Sequence, residues 1–152
     1  LDIFSEVVGV IDNVNVNKGV LHCIASRAAH GTVSLADYAG EASLGDRVAL
    51  KFIAYHSRKG PGIRVLSATP TKSLPSTQIC KQFTNRVRVN RGMGFTNDNI
   101  FIPPDLVEAH TVEEDQEVSG TAVLNYNRKR KDWGWKAIVI SENRSADSRL
   151  TL

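Results

Sequence analysis

No run of about 18 apolar residues occurs in this chain of 152 residues, so no segment is long and apolar enough to cross a bilayer as a helix. A basic leader followed by an apolar stretch is also missing. The chain opens on Leu1-Asp2-Ile3-Phe4 with no Met, which reads as a fragment cut from a longer protein whose other domains are absent. Cysteine is scarce. Cys23 and Cys80 lie far apart, in no Cys-x-x-Cys or His-paired spacing, so neither a disulfide framework nor a zinc site is suggested, and a reducing, cytoplasmic setting is expected. His22, His30, His56 and His110 are scattered without metal-ligand spacing, and each reads as a satisfied or solvated histidine. No serine sits in a nucleophile elbow. Arg91-Gly92-Met93-Gly94 lacks the Lys-Ser/Thr ending and the following helix of a phosphate-binding loop. The expectation is therefore a non-catalytic protein with no cofactor and no metal.

The net charge of +3 is too small to predict a nucleic-acid partner unaided, so the distribution of charge matters more. Basic residues gather at Arg86, Arg88 and Arg91 and again at Arg128-Lys129-Arg130-Lys131, against an acidic Glu113-Glu114-Asp115 that reads as a solvated turn.

Periodicity of two dominates the first half. Residues 6–16 end in strict alternation of Val and Asn, the mark of a strand with one buried face. Asn17-Lys18-Gly19 supplies a turn, and residues 20–24 complete a hairpin. Strands are expected at 31–35, 47–53 and 63–66, with a short helical turn within 36–43 and a basic turn at Arg58-Lys59-Gly60-Pro61-Gly62. Five short strands without a long helix fit a small closed barrel. Residues 69–76, with two prolines and several hydroxyl side chains, read as an extended linker.

The same order then returns. Residues 83–89 alternate, with Phe83, Val87 and Val89 on one face and Thr84, Arg86 and Arg88 on the other. A glycine run, an Ile100-Phe101-Ile102 strand and an irregular acidic stretch to residue 117 follow. Strands at 118–125 and 134–140 flank a basic loop over 127–132, and residues from 141 onward are polar. Residues 32–38 can be laid on 99–106, and the basic turn around Lys59 on that around Lys131. The architecture expected is all-β: a five-stranded barrel over 1–70, a linker over 71–80, a second five-stranded barrel over 81–145 and a tail over 146–152.

Arg91-Gly92-Met93-Gly94-Phe95 followed by Ile100-Phe101-Ile102-Pro103 resembles the paired motifs of the cold-shock domain, a barrel of the OB-fold that binds single-stranded RNA or DNA. Asn99-Ile100-Phe101-Ile102-Pro103-Pro104-Asp105-Leu106 is also similar to the N-terminal cold-shock modules of RNase II/RNase R-type exoribonucleases. The resemblance covers about half the chain. Met93 stands where the family has its first aromatic of the glycine run, Pro103 stands at its histidine position, and no strand-one aromatic is present. The first repeat keeps one glycine and no aromatic in Gly19-Val20-Leu21-His22-Cys23, so its OB-like fold rests on the repeat. Nothing resembles a nuclease catalytic domain.

The resemblance implies a platform on which Phe95 and Phe101 stack bases, with Met93 beside them. Gly92 and Gly94 would leave that surface of the first run clear of side chains. Alternation supports an exposed Phe101 if Ile100 and Ile102 fill the core; the opposite reading makes both phenylalanines core residues. Arg86, Arg88 and Arg91 would follow the phosphates, as would Arg128, Lys129, Arg130, Lys131 and Lys136 from the basic loop. Trp133 and Trp135 share one face of the last strand, as further stacking groups or as a cap on the core. Single-stranded nucleic acid is the expected partner, RNA ahead of DNA, with weak sequence preference because stacking accepts any base. Rival readings are a protein-interaction or scaffolding module and an accessory domain of a larger nucleic-acid-processing protein.

Overall fold

The computed structural model describes residues 6–144, so the tail expected over 146–152 lies outside the described residues. The chain divides between Ile79 and Cys80 into two compact units.

The first unit contains β1 (Val7–Asn15), β2 (Val20–Ile24), β3 (His30–Ser34), β4 (Arg47–Ser57) and β5 (Gly60–Pro70) in one sheet ordered β3-β2-β1-β4-β5. Gly19 closes the first hairpin at φ +66°, a conformation that suits glycine, and Asn15 Oδ1 accepts from the Lys18 N–H beside it. After β3 the Ser34 hydroxyl accepts from the Ala36 N–H and starts a single 3-10 turn, Leu35–Asp37. Ile11, Leu21, Cys23, Val48, Leu50 and Phe52 fill the core. The sheet curls until β3 lies against β5: a Cβ on Gly31 would stand 3.0 Å from Val65 Cγ2. Two boundaries differ from the sequence expectation. The basic turn narrows to Arg58-Lys59 because Tyr55 packs over Gly62 across the hairpin, which carries strand pairing on to Ser57 and Gly60. Thr69 and Pro70 belong to β5, in register with Ala49 and Val48, rather than to a linker.

The second unit contains β6 (Cys80–Asn90), β7 (Met93–Thr96), β8 (Ile100–Ile102), a helix α1 (Pro104–Ala109), β9 (Glu117–Asn127) and β10 (Asp132–Arg144). Cys80, expected in the linker, is already paired with Val123 of β9. The polar run from 141 continues β10 as far as Arg144, because Glu142, Asn143 and Arg144 pair with Ser119, Val118 and Glu117. The strands form a closed barrel in the order β10-β8-β7-β6-β9. This is the order of the first unit, strand for strand. Closure comes from a parallel pairing of β10 with β8, Trp135 to Ile100 and Lys136 to Phe101, which removes the exposed edges an open sheet would leave.

Phe83, Val87, Ile100, Ile102, Val118 and Ala122 point into this barrel. The stretch expected to be irregular holds α1, whose Pro104 occupies the first turn, where its missing N–H costs nothing. Val107 is buried and Leu106 packs partly against the same core. Six residues are too few to show a 3.6-residue period, which explains why the sequence pattern hid this helix.

The glycine run also works differently from the sequence expectation. Arg91 and Gly92 are the central pair of the β6–β7 turn, at φ +53° and +79°, as a tight two-residue hairpin requires. Gly94 is buried and faces inward, opposite to Met93 and Phe95. A Cβ there would stand 3.1 Å from both Val87 Cγ1 and Ile102 Cβ. Its role is to let three strands approach one another, not to clear the outer surface. Gly94→Val is therefore expected to destabilise the second unit by about 1–3 kcal/mol through overpacking, read as a lower urea midpoint. An unchanged midpoint would mean that β7 can retreat from the core at no cost.

Candidate nucleic-acid interface

Inward Gly94 leaves its neighbours pointing outward. Arg88 of β6 is in register with Phe95 of β7, and Phe95 with Phe101 of β8. Phe101 is in register with Lys136 of β10. One row across four strands thus reads Arg, Phe, Phe, Lys on the outside of the barrel, while Val89, Gly94 and Ile102 form the matching row inside. The phenylalanine rings lie 5.5 Å apart, tilted by 44°, and Phe95 is 37% exposed. The core reading of this pair is excluded for Phe95, and Phe101 is half-buried beside it.

The turn between β7 and β8 is held from within. The buried Thr96 hydroxyl accepts from the Ile100 N–H at 2.9 Å and donates to the Asp98 carboxylate. Asn99 takes φ +66° to complete the reversal. Phe95 and Phe101 therefore sit on strands whose spacing is set by buried hydrogen bonds and by Gly94.

Facing the pair is the β9–β10 hairpin. Asn127 Oδ1 accepts from the N–H groups of Lys129 and Arg130 at 2.9 and 3.1 Å, and Lys131 at φ +54° turns the chain back. Asp132 Oδ1 then accepts from the Trp133 N–H at 2.8 Å. Trp133 packs edge-on against Tyr126, 5.4 Å between ring centres, opposite it in the ladder. Trp135 lies against the barrel core, with the Lys81 ammonium 4.3 Å from its ring centre, close enough for a cation–π attraction.

Between hairpin and phenylalanines runs an open groove of about 850 Å³. Of the residues expected at the site, Met93, Phe95, Phe101, Lys129, Arg130, Trp133, Trp135 and Lys136 all line it. Arg88 joins the same face through its register with Phe95. Four others are placed differently. Arg86 forms an ion pair with Asp115 at 3.1 Å, so part of its charge is already met. Glu114, next to that aspartate, accepts from the Val89 N–H at 2.7 Å, so the acidic segment is bonded to β6 rather than simply solvated. Arg91 is exposed at the β6–β7 turn, and Arg128 and Lys131 are exposed at the hairpin tip, all outside the groove lining. Sequence reasoning missed Asn99, Asn125, Asn127 and Asp132, which line the groove. Asn99, Asn127 and Asp132 stand in or at the ends of turns, which carry no pattern of their own, and Asn125 lies in β9 opposite Gly134; only the facing of hairpin and platform reveals them.

The corresponding face of the first unit has a different chemistry. Leu21 and Cys23 point into the core, so His22 between them points out, in register with Asn13 and Thr32. Its Nδ1 is 2.6 Å from the buried Asp12 carboxylate, and its Nε2 is 3.1 Å from His30 Nδ1. Histidines that look scattered in the sequence are thus joined into an Asp12–His22–His30 chain, although they are not register partners as Phe95 and Phe101 are: His22 pairs with Thr32, and His30 with Ile24. Desolvation, then the adjoining His22, hold the His30 pKa below its ordinary value, with Asp12 opposing them. Burial, then Asp12, push the Cys23 thiol up to about 12, which keeps it protonated and inert. Among the described residues, no group of three or more His, Cys, Asp or Glu is placed to hold a metal ion.

With this geometry established, comparison with known proteins covers both units. Residues 1–65 match a family model described as S1/CSD-like domain 1 of the TOTE conflict systems, and residues 81–140 match S1/CSD-like domain 2 of the same systems. No curated protein and no solved structure matches the chain.

The histidine chain of the first unit is open to a pH test. A native pKa below the ordinary imidazole value of 6.5 means that the unfolded chain takes up the proton first, so stability is lost as pH falls through that value. The thermal midpoint of the first unit is expected to drop between about pH 7.5 and about pH 5.5. His30→Gln is expected to flatten that drop. An equal drop in the variant would show that other groups carry it.

Proposed function

We propose that this chain, which belongs to the S1/CSD-like domains of the TOTE conflict systems, is a non-catalytic module that binds single-stranded nucleic acid, RNA in preference to DNA, on the outer face of its second unit. The observation that carries the reading is the cross-strand row Arg88–Phe95–Phe101–Lys136 beside a groove lined by Lys129 and Arg130. Aromatic rings accept bases only when the bases are unpaired, and flanking cations meet the phosphates on either side. Asparagine amides line the groove and are able to bond a ribose 2′-hydroxyl, which is the basis for placing RNA ahead of DNA.

Magnitudes limit how tight this contact is. Stacking contributes roughly 1–3 kcal/mol per base, so two phenylalanines do not secure tight binding without phosphate contacts. On the outer face of the first unit His22 is in register with Thr32, not with a second stacking ring, and the role of this unit in this reading is to brace or extend the track. A reducing, cytoplasmic setting belongs to the same proposal.

Fluorescence anisotropy with short single-stranded RNA, single-stranded DNA and duplex tests the proposal directly. Phe95→Ala combined with Phe101→Ala is expected to weaken RNA binding by roughly 30-fold or more, from the stacking energies above. Affinity is expected to fall with salt, with a logarithmic slope of about −0.7 for each phosphate contact. Unchanged affinity in the double variant would sink the stacking platform. Failure to bind any oligonucleotide at physiological salt, with a protein partner still retained in a pull-down, would favour a protein-interaction module instead.

A further inference from the structure

The groove of the second unit holds a group that a simple phosphate track would not. Asp132, the carboxylate among its lining residues, is exposed at the start of β10 and lines the groove with Asn99, Asn125 and Asn127. A negative side chain repels phosphate, so in a groove for a polyanion it works against affinity unless it meets hydrogen-bond donors. One of its oxygens is held. Asp132 opens β10, and the Trp133 N–H donates to its Oδ1 at 2.8 Å. A carboxylate offers about four lone-pair positions, so this bond leaves most of its accepting capacity for a ligand.

Around it the other polar groups are already arranged. Asn127 Oδ1 is taken up by the Lys129 and Arg130 N–H groups, which leaves its NH₂ as the ligand-facing function. Lys129, Arg130 and Lys136 supply only donors. Asp132 is the strong acceptor of the groove. Asp132 stands four residues along β10 from Lys136, the register partner of Phe101, so a strand that stacks on Phe95 and Phe101 and continues along the groove carries a neighbouring base past one anionic acceptor, and base edges differ sharply in what they offer one. The Watson–Crick edge of guanine puts the N1–H and N2–H donors side by side, which suits both oxygens of a carboxylate. Cytosine and adenine offer one amino group each. Uracil flanks its single N3–H with two carbonyl oxygens, which a carboxylate repels.

We propose that Asp132 is a base-selecting residue, and that the groove prefers an unpaired guanine over uracil by charge-assisted hydrogen bonds from the base edge to the carboxylate. The inference rests on the reading of this face as a single-strand binding site and adds selectivity to stacking that by itself accepts any base.

The test compares a short oligouridine with the same oligomer carrying one guanosine, cytidine or adenosine at its centre, each titrated against the native chain and Asp132→Asn. The native chain is expected to bind the guanosine oligomer roughly tenfold more tightly than oligouridine, with cytidine and adenosine between them. The variant retains Oδ1 as acceptor for the Trp133 N–H, so the hairpin keeps its turn. It is expected to bind oligouridine more tightly, because a repelling charge is gone, and the guanosine oligomer more weakly, so that the ratio collapses to within about twofold. Equal binding of all four oligomers by the native chain overturns the base preference and leaves the single-strand reading standing. Selectivity that persists in the variant, or a uniform loss across all four, overturns the role of Asp132. Absence of binding to any of them overturns the single-strand reading and this inference with it.

Discussion

The outer face of the second unit depends on a contact that takes place inside it. At Gly94 the backbone of β7 comes within van der Waals reach of Val87 and Ile102, with no side chain between. That approach brings β6, β7 and β8 into the register that sets Arg88, Phe95 and Phe101 in one line on the opposite surface. Packed interiors tolerate little change in volume, so a side chain at this position would act on that outer surface through the spacing of the strands. The hydrogen bonds of Thr96 complete the arrangement, because they hold the turn that returns the chain from one phenylalanine strand to the next.

Closure of the barrel adds the remaining parts. Parallel pairing of β10 with β8 carries Lys136 to the end of the aromatic row and brings Trp135 over the core. It also sets the β9–β10 hairpin opposite the platform, so that cations remote from Phe95 in sequence line one groove with it. Such a groove offers two kinds of contact. In the proposed reading, cations and rings give affinity for any single strand, whereas the carboxylate and amides discriminate between base edges. In that reading the two purposes oppose each other electrostatically, because a carboxylate repels the phosphates that the cations attract.

The two units show how one strand order supports different surfaces. Both run in the order third, second, first, fourth, fifth strand, and both bury an alternating set of β-branched and aromatic residues. Outward positions are not constrained by packing, and there the units diverge: a phenylalanine pair in the second, the Asp12–His22–His30 chain in the first. Fold similarity therefore carries the architecture across the repeat but not the chemistry of the face.

By itself the sequence determined the all-β class, the division into two repeats, the alternation of core and surface along β6, and the pairing of a glycine run with a Phe-containing strand. These features are local, because a period of two and a turn residue are written in adjacent positions. It did not determine the inward aim of Gly94, the short helix after Pro103, the bond between His22 and His30, the ion pair that engages Arg86, or the presence of Asp132 and three asparagines in the groove. Each of these depends on strand register and on the meeting of elements distant in the chain. Tertiary structure alone decided them, because whether a glycine faces the core or a carboxylate faces a groove depends on what stands across from it.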